Sequence, residues 1–408
     1  MQLSDEEQAM LAGEMGEAKR WAIDHQLKVG RMFDAEDLVS VSQAHMMGDP
    51  ESVGVAGAAF LEGLADQDAK VEIPTITDPR GVDLTYYEPM GQTEDMANLE
   101  RRIVAALQRI GVMLTDTCIN YQTIMPPVRG EHVAYGDTGV VIYANSACGA
   151  RSNFEGGPSA LAAGLTGHTP RYGLHLDQNR QANRRFVVSE QPKGLTDWGI
   201  LGAVAGKTAG SYWDVPVIEG LENIPTSDEM KHLGAAMASY GSTPLFHLAG
   251  ITPEAPTLAT VGGDKLKAEH LTQDMMNTMR SRFGGKGDKL DVVVFAAPQL
   301  SLLEMQQIAK LCDGQKFRVP VYACTAPQVY PDAQRMGFVD KIESAGGKVL
   351  VGTCFYNGFA REVGEANGWR RLLSNSAKIV NILGGYGYEP ALASMEDCVA
   401  SAVAGEIV

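Results

Sequence analysis

The sequence predicts an α/β protein built on parallel sheets and divided into two or three lobes. Three observations carry this. The C-terminal third alternates strand and helix: 290–297 is an apolar strand, 301–312 a helix, 319–325 a strand, 332–345 a helix and 348–353 a strand. That alternation produces a parallel sheet covered by helices. The chain has 408 residues, beyond the size at which one hydrophobic core keeps growing. Its 45 glycines point to many tight turns and backbone-lined pockets.

From the N-terminus, Ser4-Asp-Glu-Glu7 is a capping box, opening a helix that carries Met10, Leu11, Met15, Ala18, Trp21 and Ala22 at helical spacing. Residues 52–66 read as a helix and 69–76 as a strand with a proline near its end. Thr93 caps a second strong helix ending near Ile110-Gly111. Residues 112–116 then read as a short strand delivering Cys118 to its carboxyl end. Gly202-Ala-Val-Ala-Gly206-Lys207-Thr208 invites comparison with a phosphate loop, but one residue is missing between the glycines. It reads instead as a closely packed helix. The expected units are 1–190, 191–285 and 286–408. Ligands of parallel sheets bind beyond the carboxyl ends of the strands, where Ala297-Pro-Gln299, Cys324-Thr-Ala326 and Cys354-Phe-Tyr356 fall.

Composition excludes several classes. A net charge of −16 with no basic patch argues against nucleic acid or an anionic membrane as partner. No run approaches a membrane span, and the charged N-terminus lacks the apolar core of a signal peptide. Six irregularly spaced cysteines do not form a secreted disulfide framework, and read as reduced thiols of a cytoplasmic protein.

Residues 118–180 are the richest in chemistry. Asn145, Ser146, Arg151 and Asn153 alternate with glycine and alanine, as they would where backbone approaches a small polar ligand. His132, His168 and His175 flank the same stretch; singly, each is more often structural than catalytic. Cys118 and Cys354 are placed as ligands of an iron–sulfur cluster would be, and equally as small buried hydrophobes. No C-x-x-C pair supports structural zinc, and no G-x-S-x-G elbow supports a serine hydrolase.

Across essentially the whole chain these residues resemble the aconitase X family. The resemblance is carried by Thr117-Cys-Ile-Asn-Tyr121, Gly130-Glu-His132, Tyr143-Ala-Asn-Ser146, Gly149-Ala-Arg151, Asn153, Thr166-Gly-His-Thr-Pro170 and Tyr172-Gly-Leu-His175. Pro298-Gln-Leu-Ser301-Leu-Leu-Glu304, Gly352-Thr-Cys354 and Ser374-Asn-Ser-Ala-Lys378 extend it. It implies an aconitase-like fold of three α/β/α lobes with parallel-rich sheets around a central cleft. A separate small subunit would supply a swivelling domain. The implied reaction is dehydration of a small-molecule hydroxy acid, with iron–sulfur help for the leaving hydroxyl. cis-3-Hydroxy-L-proline is the first substrate; 5-phosphomevalonate, or a non-catalytic homologue without a cluster, are the alternatives.

By this resemblance Lys378, Ser146 and His175 are the expected catalytic residues. Thr77, Asp78, Asp137, Thr138, Asn145, Ser146, Arg151 and Asn153 are the expected substrate contacts, and Cys118, Cys354 and Cys324 the expected metal ligands. The chain departs from the family pattern in three places. Ala296-Ala-Pro-Gln299 stands where the family has Gly-Cys-Pro-His, leaving Cys324 or Cys148 to replace the middle thiolate. The cofactor is then a 2Fe–2S cluster, an incomplete 4Fe–4S cluster or a single iron. Asp137-Thr138 stands for Glu-Ser, and Thr77-Asp78-Pro79 for Thr-x-Asn-Pro.

Overall fold

Local signals divide the chain more finely than its apolar periodicity does. In the computed structural model, which describes residues 1–408, the Ser4 capping box opens a helix of only eight residues, Asp5–Ala12. Gly13, at φ 83°, ends it in the left-handed region and a new helix, Glu17–Met32, follows. The expected helix over 332–345 is likewise two, Tyr330–Arg335 and Phe338–Ser344, broken by Gly337 at φ 76°. The helix capped by Thr93 runs Glu94–Ile110 and stops at Gly111, as read from sequence.

The strands are shorter than expected. Of 69–76 only the end pairs, as Thr75–Thr77. The amides of Val71 and Glu72 donate instead to the carbonyls of Ile110 and Gly164, at the ends of two helices, and Pro74 has no amide to give. The expected strand over 112–116 is a single bridge between Met113 and Ile76.

Three parallel sheets result. One orders Thr75–Thr77, Ala44–Met46 and Ala134–Tyr135. A second orders His247–Leu248, Pro216–Glu219, Arg184–Val188 and Ala268–Leu271. The third orders Lys348–Val351, Val321–Thr325, Val292–Leu300, Arg371–Ser374 and Glu389–Leu392. Arg184–Val188 pairs inside the middle sheet, so the first unit ends before it rather than at 190. An antiparallel pair, Leu38–Ser40 with His168–Pro170, is the one exception to parallel pairing among the sheets.

The Gly202–Thr208 run does lie in a helix, Gly194–Ala209. It packs on Ser227–Gly241 so closely that a Cβ at Gly202 would sit 2.1 Å from the carbonyl oxygen of Leu233. One at Gly206 would sit 2.4 Å from that of Met237. The glycines serve backbone approach, not phosphate binding. One apolar cluster runs from Phe186 and Leu201 of the second unit to Val292 and Leu372 of the third. Another joins Cys118, Tyr135 and Val141 of the first to Phe295 and Met305 of the third. Shared cores of this kind fix the strand ends relative to one another.

Candidate active site

The site grows from an irregularity in one strand. Within Val292–Leu300, Phe295 pairs with Ala323 but Leu300 with Thr325, so residues 296–299 bulge out of the ladder. Ala297 takes a φ of 52° there, and Gln299 is turned into the junction. Its side chain accepts from the amide of Cys118 at 3.2 Å and donates to the carbonyls of Asp116, Thr325 and Thr353 at 3.1 to 3.4 Å. Its own amide points at Cys118 Sγ, 3.4 Å away. A second tie joins the units nearby: Arg80 donates its amide to Gly352 and accepts from that of Cys354. These ties bring the loops after three strands together.

On this frame Ser376 Oγ donates to the Ala297 carbonyl at 2.6 Å and accepts from Ile379, capping the helix Ala377–Leu383. The first turn of that helix carries Lys378. Its Nζ lies 3.3 Å from Asp137 Oδ1 and 5.6 Å from the ring centre of Tyr356. Asp137 in turn caps Thr138–Tyr143 by accepting from the Val140 amide at 3.0 Å.

Electrostatics distinguish these groups. Burial lowers the Lys378 pKa, but the Asp137 carboxylate outweighs it and the net pKa lies above the usual lysine value. Burial also opposes ionisation of Asp137, yet Lys378 and the Val140 amide hold its pKa below the ordinary carboxylate range. The pair is therefore ionic. Burial pushes the Cys118 and Cys354 thiols well up. Asp78 is also pushed well up, by burial first and then by neighbouring Asp137. Its Oδ1 has no hydrogen-bond partner. Thr353 Oγ1, Asn357 Nδ2 and Asn375 Nδ2, on the loops after the third sheet's strands, are likewise buried and unpartnered. Such groups are rare in folded interiors and mark places that bind polar ligands or water.

The structure brings together Asp78, Asp137, Lys378, Cys118 and Cys354. The other expected residues have different work. Thr77 Oγ1 donates to Asp116 and accepts from its amide, pinning that carboxylate toward Arg80. Thr138 is the first residue of the helix that Asp137 caps. Asn145 bonds backbone of Ser152 and Pro244, and Ser146 accepts from the Phe246 amide. Asn153 accepts from Leu174 and donates to Tyr172. Arg151 donates to Asp177 and to the His175 carbonyl, so its guanidinium is already taken. His175 faces His132, with the Nδ1 atoms 2.9 Å apart. The 143–176 block is thus a joint between the first and second units. Its polar residues satisfy irregular backbone, which looks in sequence just like a ligand-binding stretch. Gln299, Tyr356 and Asn375 lie on the same strand-end loops; strand-end position singles out the first two in the sequence, and nothing in the sequence singles out Asn375.

The expected three-thiolate cluster does not fit these residues. Ala297 offers a methyl group at the strand end. Cys324 is as deeply buried as Cys118 and Cys354 and its thiol is likewise driven far up, so its burial does not distinguish it from them; what is lacking is an arrangement of the three around one point. No three His, Cys, Asp or Glu side chains are arranged to hold a metal ion. Cys148 lies in the widened turn Ala144–Cys148 within the joint, its thiol pushed up to about 11 by burial. A polar hollow elsewhere, lined by Asp197, Asp228, Arg280, Glu304 and Glu396, is occupied by its own contacts. Asp197 pairs with Arg280, Asp228 accepts from Ser301, and Lys231 and His232 hold the buried Glu304 down to about 2.

Comparison with known proteins agrees with this architecture. Residues 1–178, 182–281 and 290–404 match the family models for the first, second and third domains of aconitase X. The phosphomevalonate dehydratase large subunit of Methanothermobacter thermautotrophicus is 36% identical over 381 residues, 93% of each chain. The cis-3-hydroxy-L-proline dehydratase of Pseudomonas aeruginosa is 30% identical, covering 98% of this chain and 69% of its own length. The crystal structure of Thermococcus kodakaraensis aconitase X in its holo-form superposes with a TM-score of 0.89 at 31% identity, over 98% of this chain and all of that one. Motifs, three-sheet architecture and these similarities converge, and the chain belongs to the aconitase X family.

Proposed function

We propose that this chain is the large subunit of a dehydratase that removes water from a small hydroxy carboxylic acid, with cis-3-hydroxy-L-proline as first substrate. The observation that carries the reading is the buried Lys378–Asp137 pair, set beside Cys118 and Cys354 where loops of the first and third units meet. In dehydration the α-proton leaves, a carbon–carbon double bond forms and the β-hydroxyl departs. A poor leaving group of this kind needs a proton. Lys378 is kept charged by Asp137 and supplies that proton to the departing hydroxyl, which leaves as water. Asp137 keeps the ammonium aimed until that transfer, and the neutral amine then takes up a proton from solvent to restore the ion pair before the next turnover.

The family resemblance also implies an iron centre, and Cys118 and Cys354 are the residues of this chain that would hold one. With Ala297 at the middle position, the three-thiolate set is incomplete. Relatives named "large subunit" support a small-subunit partner, which would close the site and bring the group that removes the α-proton. Six free cysteines, most of them buried, support a reducing cytoplasmic setting, and no helix is long and apolar enough to cross a membrane. A second reading, phosphomevalonate as substrate, rests on the 36% identity to a large subunit of nearly equal length.

Lys378→Met tests the assignment. Removing a positioned acid costs about 10²–10⁴ in rate, so kcat for water loss should fall by at least a hundredfold while substrate still binds. An unchanged kcat would remove Lys378 from the chemistry.

A further inference from the structure

Asp78 is a carboxylate without a cation of its own. It is 4% exposed, and its Oδ1 has no hydrogen-bond partner. The nearest donor, His45 Nε2, is 3.4 Å away but is already engaged with the Thr117 carbonyl at 2.8 Å. Burial keeps that imidazole neutral. Lys378 is committed to Asp137 and Arg80 to Asp116 at 2.9 Å. Asp49, the remaining acid nearby, caps the helix Pro50–Asp66 by accepting from Ser52, so the helix N-terminus offsets its charge. Four acids, Asp49, Asp78, Asp116 and Asp137, thus lie around two cations, Lys378 and Arg80, and Asp78 is the one with neither a cation nor a hydrogen-bond donor of its own. A buried carboxylate with a free oxygen is costly unless a cationic or donating group arrives to meet it.

We infer that Asp78 is a specificity-determining residue, receiving a cationic nitrogen of the substrate and thereby selecting hydroxy amino acids over phosphorylated hydroxy acids. The inference deepens the dehydratase reading and rests on it for the place where the ligand sits. The surplus of acids acts in both directions. An ammonium lets the buried Asp78 give up its proton and completes an ion pair that the protein leaves open, whereas a phosphate dianion brings more negative charge among acids that have no spare cation.

Two probes isolate the nitrogen. L-Proline carries a secondary ammonium in its ring; tetrahydrofuran-2-carboxylate of the same hand has an ether oxygen there and is otherwise alike. Calorimetry on the full chain, purified with the subunit that accompanies it, should find L-proline bound at least tenfold more tightly. In Asp78→Asn, which keeps shape and removes charge, the ratio should approach one. Equal binding of the two probes by the wild-type protein overturns the proposal without any variant. So does a ratio that survives in a folded Asp78→Asn protein, or failure of both probes to bind. Turnover separates the two readings. Selective binding of L-proline without dehydration of hydroxyproline would leave Asp78 as assigned and sink the dehydratase. Dehydration with no nitrogen preference would do the reverse.

Discussion

Glu100 shows how a single buried acid sets the pH behaviour of this site's frame. It is fully enclosed and one carboxylate oxygen accepts the amides of both Gly81 and Val82 at 3.0 Å, holding the loop that follows Asp78. Burial raises its pKa to about 7. An acid whose folded pKa is raised favours the protonated form, so its contribution is full below the unfolded value near 4.5 and is lost as pH rises through about 7. The loss is on the order of 3 kcal/mol. Glu100→Gln keeps the acceptor and removes the proton, so urea unfolding between about pH 5 and 7 should lose most of its slope; an unaltered slope would place the titration elsewhere. Ala297 is the second residue whose chemistry is decided by what it lacks. Because alanine already carries a Cβ at φ 52°, Ala297→Cys adds a thiol without new backbone strain. Iron and acid-labile sulfide per chain should rise after anaerobic reconstitution, and no rise would show that the third thiolate does not limit metal binding.

At the scale of elements, close approach is the controlling fact. The helices Gly194–Ala209 and Ser227–Gly241 cross with backbone in contact, and Gly241 would place a Cβ 2.1 Å from the Gly206 carbonyl oxygen. Gly206→Ala should therefore cost roughly 1–3 kcal/mol by overpacking, read as a lower urea midpoint with an unchanged m-value. A neutral effect would mean that the pair separates cheaply. The same elements show what sequence makes legible. Ser4, Thr93 and Ser301 announce helix starts because a capping side chain is a local device. The close packing at Gly202 is legible because glycine at helical spacing has few other uses. The strand over 69–76 was not, since its partners are helix ends distant in sequence. Nor was the bulge at 296–299, which depends on register with a neighbouring strand. Asn145, Arg151 and Asn153 misled for a related reason: a polar residue that satisfies bent backbone and one that waits for a ligand look the same before their partners are known. Cys118, Cys354, Asp78, Asp137 and Lys378 were legible through family motifs and strand-end position.

Across the whole molecule, the three parallel sheets share cores, so that a proton donor from the third unit and its counter-ion from the first meet in one place. Lys378 and Asp137 stand 241 residues apart in sequence, and only the joined units set them 3.3 Å apart. The central claim is that this meeting place removes water. The direct measurement is to incubate the purified complex with cis-3-hydroxy-L-proline and quantify the cyclic imine that forms when the enamine left by water loss tautomerises. Steady product formation is expected, dropping at least a hundredfold in Lys378→Met while L-proline still binds. Equal turnover by the two proteins, or product from mevalonate 5-phosphate and none from hydroxyproline, would contradict it.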